Sequence, residues 1–267
     1  MAEPELPPTN VDETYMELLR GVLRVCLNYK PSCGHGRRDG VTLTEFQRIY
    51  REDEFYSWFG LDSPLVYAAH KVAGGMTSIY RQIGTGCQIL FHRVLQDTLG
   101  LSPANATWSY KVPTTNGKSR TLSLDGRIPI ENITKSLRCA TVESWLKNAS
   151  AHLGLKGENA ANLHGAVFEV RQGYKSNDAK RQNADVSNAS SAYAYRYLPV
   201  MLLLSVQIPE NLAERYARAR WLILRGTVSG SSIDSTYVFC RDVLGYDLAG
   251  FFQRNSSMQK KGNAGGV

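Results

Sequence analysis

Residues His164-Gly-Ala-Val-Phe-Glu-Val-Arg-Gln-Gly-Tyr-Lys-Ser-Asn-Asp-Ala-Lys-Arg-Gln-Asn-Ala-Asp185 pass from an apolar run into charged and then amide-rich sequence. Ala166, Val167 and Phe168 read as a strand that continues through Glu169 and Arg171 to Lys175. Positions two apart on a strand share a face, so Glu169, Arg171 and Lys175 are expected to point the same way. A carboxylate and an ammonium near a strand end suit a divalent metal held beside a phosphate. The polar residues 175–185 that follow suit the reading of base edges.

Outward from this stretch, helix and strand signals alternate. Asp178 to about Tyr195 reads as a helix, polar on one side, and Leu198–Val206 is an apolar run of strand length. Such a run without alternation predicts a strand covered on both faces. Pro209-Glu210 opens a helix reaching about Arg218, and Trp221–Leu224 fits either a strand or the continuation of that helix. Short helices follow at about Thr236–Leu244 and Leu248–Arg254. Upstream, Asn116-Gly117 lies between the alternating runs Trp108–Val112 and Arg120–Ile128, a strong hairpin signal. A helix is expected at Val142–Leu153.

The first hundred residues read as helical. One helix spans about 11–29, with Met16, Leu19, Val22, Leu23 and Cys26 as its buried stripe. Thr42 and Glu45 form a capping-box pattern opening a second, to about Phe59. Asp62-Ser63-Pro64 opens a third, interrupted at Gly74-Gly75, and a longer helix covers Thr77–Leu99. The expected fold class is α/β (α+β), a mixed central sheet flanked by helices. Its expected parts are disordered tails at 1–10 and 256–267, a helical region at 11–100 packed on the core, and the core at 101–255.

The chain has 267 residues, 43% of them hydrophobic, enough to bury a sizeable core. Its net charge of +7, from 31 basic and 24 acidic residues, fits a polyanionic partner but equally fits many enzymes without one. Five cysteines at 26, 33, 87, 139 and 240 contain no CxxC pair. That argues against a disulfide framework or zinc ribbon and for a reducing cytosol. Met1–Pro8 lacks the basic and apolar regions of a signal peptide. Leu198–Val206 is too short to span a bilayer, so no membrane association is expected. Gly84-Thr-Gly86 and Gly117-Lys118-Ser119 lack the setting of a phosphate loop. His92, His152 and His164 have no partner in a nucleophile-elbow pattern.

Asp125 falls late in the second hairpin strand, in Leu122-Ser-Leu-Asp-Gly-Arg-Ile128, where Gly126 leaves the backbone open. Alone it reads as a turn aspartate. Beside a strand offering Glu169, Arg171 and Lys175 it gains a second meaning. Phosphodiester hydrolysis needs a metal on hard oxygen ligands, an activated water, and a cation against the developing charge. Two carboxylates from neighbouring strands and a lysine meet that list.

Asp125, then a strand carrying Glu169 and Lys175, then a polar helix, resembles the PD-(D/E)xK nuclease core. More narrowly it is similar to type II restriction endonucleases, over about residues 77–225. The resemblance implies that Asp125 and Glu169 hold Mg2+ and that a lysine orients the attacking water. It also implies a restriction-endonuclease-like core, a homodimer on double-stranded DNA, and a prokaryotic, cytoplasmic setting. Gln88 stands where the family often has an acidic residue on its first core helix, a possible accessory position.

The motif departs from the family's at Gly173, which stands two before Lys175 in place of a carboxylate. Glu169 and Lys175 lie roughly 20 Å apart along an ideal strand at about 3.3 Å per residue. Either a bulge at Gly173 shortens this distance, or only the Glu169 end is catalytic. Arg171, Gln172 and Lys175 all remain candidates for the third catalytic role. For DNA contact the candidates are Gln172, Lys175, Ser176, Asn177, Lys180, Arg181, Gln182 and Asn183, since Arg pairs with guanine, and Gln or Asn with adenine.

The reading is therefore a site-specific, Mg2+-dependent deoxyribonuclease, a phosphodiester hydrolase of a restriction system. Its helical first part would serve dimerisation and DNA wrapping. The alternative is a sequence-specific DNA-binding protein without catalysis. A third reading is an enzyme on a small anionic substrate, marked by the absence of steep salt dependence in DNA binding.

Overall fold

The computed structural model describes residues 10–25, 29–31, 40–53, 57, 60–113, 119–157, 162–174 and 179–256, with the backbone alone at 112, 113, 120 and 179–182. The apolar run after the polar helix forms β5 (Tyr197–Leu203), buried at every position. It is covered on both faces, as its uninterrupted apolar sequence predicts. Full burial of Leu198, Val200 and Leu202 contributes roughly 1.5–3 kcal/mol per side chain.

The described elements are α1 (Asn10–Leu23), α2 (Leu43–Glu52), α3 (Pro64–Leu99), α4 (Pro103–Ala106), β1 (Trp108–Pro113), β2 (Ser119–Leu124) and β3 (Gly126–Pro129). Then come α5 (Ser136–His152), β4 (Gly165–Arg171), α6 (Ala179–Ala194), β5, α7 (Glu210–Arg218), β6 (Leu222–Leu224), α8 (Thr236–Val238) and α9 (Leu248–Arg254). A π-helical turn, Phe239–Leu244, continues α8. Among the described residues the fold is mixed α and β, with two sheets.

One sheet is the hairpin β1–β2, paired from Trp108↔Leu124 to Pro113↔Ser119 as the alternating runs predict. Its Asn116-Gly117 turn lies outside the described residues. The other has the order β3-β4-β5-β6, with β3 antiparallel to β4 and the rest parallel. Helices α6 and α7 make the two crossovers that parallel neighbours require.

The chain falls into two compact units, Met1–Gly86 with Arg254–Val267, and Cys87–Gln253. In the first, Thr42 and Glu45 form the expected capping box, Glu45 accepting from the Thr42 amide at 2.8 Å. Phe46 is fully buried and stacks on Tyr50, ring centres 4.3 Å apart. Asp12, also fully buried, accepts from Arg254 Nε at 2.8 Å.

In the second unit the sheet is covered on both faces. Phe168 of β4 packs against Phe91 of α3 and Phe239, ring centres 5.1 and 5.7 Å away. On the opposite face Val167, Met201 and Leu203 pack with Ala189, Ala192, Leu212, Tyr216 and Trp221.

Several expectations need correction. Helix α3 runs unbroken through Gly74-Gly75. Glycine costs a helix interior only about 1 kcal/mol, and here it makes room. A Cβ on Gly74 would lie 1.9 Å from the Tyr29 hydroxyl. The run Arg120–Ile128 is two strands in two sheets, divided at Asp125. Of Trp221–Leu224, residues Leu222–Leu224 resolve as strand, since Arg220 after α7 adopts a left-handed φ of 59° that ends the helix. β4 ends at Arg171 rather than Lys175. Helix α1 ends at Leu23, and α2 at Glu52. Among the described residues no helix is long and apolar enough to cross a membrane.

Candidate functional site

The chain leaves the hairpin sheet at Leu124 and enters the four-stranded sheet at Gly126, so Asp125 sits at the crossing point. Gly126 suits the step: a Cβ there would press on Phe91 and Leu95 at 3.2 Å. The Asp125 amide donates to the Phe168 carbonyl at 2.8 Å, and its Oδ2 accepts from the Val170 amide at 2.8 Å. Those two bonds bracket Glu169 on the neighbouring strand. Asp125 thus extends the ladder one residue before the β3–β4 register begins at Gly126↔Phe168. It is half-buried, so this carboxylate retains solvent contact.

The N–H and C=O of one strand residue point to the same side, so the Val170 carbonyl also faces this corner. Gln88 of α3 reaches it with a long hydrogen bond, Nε2 to oxygen 3.5 Å. The Asp125 carboxylate, the Val170 carbonyl and the Gln88 amide therefore meet at the start of β3.

Glu169 and Arg171 share a face of β4, as the strand period demands, and both are nearly buried. Arg171 Nη2 lies 2.7 Å from Glu169 Oε1, and 3.0 and 3.2 Å from the two carboxylate oxygens of Asp185 on α6. Tyr216 of α7 donates to Asp185 Oδ2 at 2.6 Å, and Tyr174 donates to the Tyr216 hydroxyl at 3.0 Å. Trp221 Nε1 donates to the backbone carbonyl of Asp185 at 3.2 Å. The Arg171 guanidinium also sits 5.5 Å from the centre of the Tyr174 ring. A continuous chain thus runs from Tyr174 through Tyr216, Asp185 and Arg171 to Glu169.

Burial opposes the Arg171 cation, yet Glu169, Tyr174, Asp185 and Tyr216 together hold its pKa above the ordinary arginine value. Burial also pushes the Tyr174 phenol up to about 12, against the lowering effect of Arg171. Tyr216 is raised by burial and by its hydrogen bond to Asp185. Near neutral pH both phenols are therefore donors. Arg171 Nε is buried with no hydrogen-bond partner among the described residues.

Of the residues singled out in the sequence, Asp125, Glu169, Arg171 and Gln88 gather around the end of β4. Gln172 follows directly and is half-buried. Lys175, Ser176 and Asn177 lie outside the described residues. Lys180, Arg181 and Gln182 belong to the first turn of α6 by backbone. Asn183 is exposed and accepts from Arg215 Nη2. Gly173, with φ of 150°, lies beyond the end of β4 and makes no bulge within it. A Cβ there would meet Ser205 Oγ at 2.3 Å, while the next amide, Tyr174, donates to the Gln207 carbonyl.

Three participants escape a reading of the sequence. Asp185 sits in the run read as base-contacting, yet only 3% of it is exposed. Its spacing to buried Ala189 and Ala192, four and seven residues on, places it on the inner face of α6 and could have revealed it. Tyr216 belongs to the buried stripe of α7 with Leu212 and Ala213, which marks it as core but says nothing of its hydrogen bond. Tyr174 carries no local signal. Compared with protein-family models, curated proteins and solved structures, the chain matches none.

Proposed function

We propose that the chain is a Mg2+-dependent, sequence-specific endonuclease on double-stranded DNA, with a core of the type II restriction, PD-(D/E)xK kind. The observation that carries the reading is Asp125 bridging Phe168 and Val170, which brings its carboxylate beside the backbone of Glu169. Asp125, Glu169 and the Val170 carbonyl are hard oxygen donors of the type Mg2+ takes, and Mg2+ needs only one or two carboxylates from protein. Asp125 and Glu169 would be the carboxylates that hold the ion. Bound there, Mg2+ would supply Lewis-acid polarisation of the scissile phosphate.

The protein's own groups do the rest. Arg171 orients Glu169 and sets a permanent cation beside it, the third role for which Gln172 and Lys175 also remain candidates. The start of α6, with exposed Asn183 beside Arg215, offers donors and a charge for DNA contact. A homodimer would match a palindromic site through shared two-fold symmetry.

A second reading, sequence-specific binding without cleavage, is favoured by the short Glu169–Arg171 pair, because a carboxylate so engaged serves equally well as a structural partner. Incubating the protein with plasmid, with and without Mg2+, separates the two. Discrete fragments that need Mg2+ support the endonuclease, whereas retarded but uncut plasmid supports the binder.

A further inference from the structure

Resting on the endonuclease reading, we propose that Asp185 and Tyr216 are positioning residues for the metal ligand Glu169 and act on it through Arg171. One guanidinium nitrogen, Arg171 Nη2, contacts Glu169 and both oxygens of Asp185. Where that nitrogen sits is therefore decided by the Asp185 carboxylate, and where that carboxylate sits is decided by Tyr216. Glu169 Oε1 follows Arg171, and the direction of the whole carboxylate follows Oε1.

Stability does not explain this arrangement. Apolar side chains of similar volume commonly replace a buried ion pair at no loss, or with a gain, of stability. Here Glu169, Arg171 and Asp185 are all nearly buried, among the apolar residues Val167, Met201, Leu203 and Leu212. A network of this kind at the end of a strand, leading to a carboxylate beside Asp125, has the form of an outer shell that aims a ligand. Loss of an outer-shell partner lowers metal affinity or activity by about 10–100-fold.

Tyr216→Phe removes one hydroxyl, and Asp185→Asn removes one charge at constant shape. Trp221→Phe disturbs the same neighbourhood but touches only the Asp185 backbone carbonyl. Mn2+ serves as the probe, with binding to the full chain measured from the resonance of free ion, and with Glu169→Gln defining the site. Thermal unfolding of each variant is recorded beside it. The expected result is Mn2+ affinity lowered by about 10–100-fold in Tyr216→Phe and Asp185→Asn and unchanged in Trp221→Phe. Unchanged affinity in Tyr216→Phe and Asp185→Asn, with binding lost in Glu169→Gln, would overturn the positioning role and leave the endonuclease reading standing. A parallel loss in all variants, tracking their melting temperatures, would reduce the network to a structural one and also overturn the proposal. Wild-type protein with no Glu169-dependent Mn2+ binding would overturn both.

Discussion

Asp125 has two jobs at once. Its Oδ2 satisfies the Val170 amide just before the start of β3, and its charge lies beside Glu169 on the next strand. The two jobs separate by substitution. Asparagine can still accept from Val170 while losing the charge. Asp125→Asn is therefore expected to melt near the wild-type temperature, with plasmid cleavage lowered by about three orders of magnitude, the equivalent of several kcal/mol of lost metal-held charge stabilisation. Asp125→Ala also strands the amide, and a further loss of about 1–3 kcal/mol is expected in urea unfolding. At this scale the sequence was partly legible. That Glu169 and Arg171 share a face could be read because a strand's period needs only local information. For Asp185 the helix period could mark an inner-face position but not its partners, since Arg171 and Tyr216 come from β4 and α7.

Among the elements, those with strong local signals were legible. The capping box of α2, the β1–β2 pairing and the buried β5 all follow from residues a few positions apart. The errors arose where a distant contact overrides a local rule. Gly74 reads as a helix break, but the Tyr29 hydroxyl close beside it needs the space and the helix continues. The alternation through Asp125 reads as one strand, but Gly126 joins a different sheet under Phe91 and Leu95. β4 begins under a similar constraint, at Gly165 with φ of 151°. A Cβ there would lie 1.8 Å from the Ile128 carbonyl oxygen, a backbone atom that cannot move aside cheaply. Gly165→Ala is expected to lower unfolding stability by at least about 1–3 kcal/mol, the cost of such strained backbone. Guanidinium unfolding checks this, and a midpoint equal to wild type would count against the β3–β4 register.

Over the whole molecule, buried acids set the alkaline limit. Burial pushes Cys87, Tyr174 and Tyr237 up to about 12. Cys240, Tyr193 and Tyr216 are raised as well, chiefly by burial. These groups keep their protons in the folded state at pH values where the unfolded chain has lost them. Their stabilising effect is whole below the unfolded values, about 9–10. It is lost as pH rises toward the folded ones, because the folded state then binds more protons than the unfolded state. The urea midpoint is expected to fall steadily above about pH 10, and Tyr174→Phe is expected to reduce that fall. A midpoint flat to pH 12 would contradict the burial of these groups.

If DNA is the partner, as proposed, the net charge of +7 predicts binding that weakens steeply with salt as phosphate counterions are released. The most direct test of the account is cleavage itself, with supercoiled plasmid and protein incubated with Mg2+ and with EDTA, beside Asp125→Asn. The account predicts discrete fragments with wild type and Mg2+ alone, and intact plasmid in every other lane. Plasmid left uncut by wild type in Mg2+, or cut equally by Asp125→Asn, would contradict it.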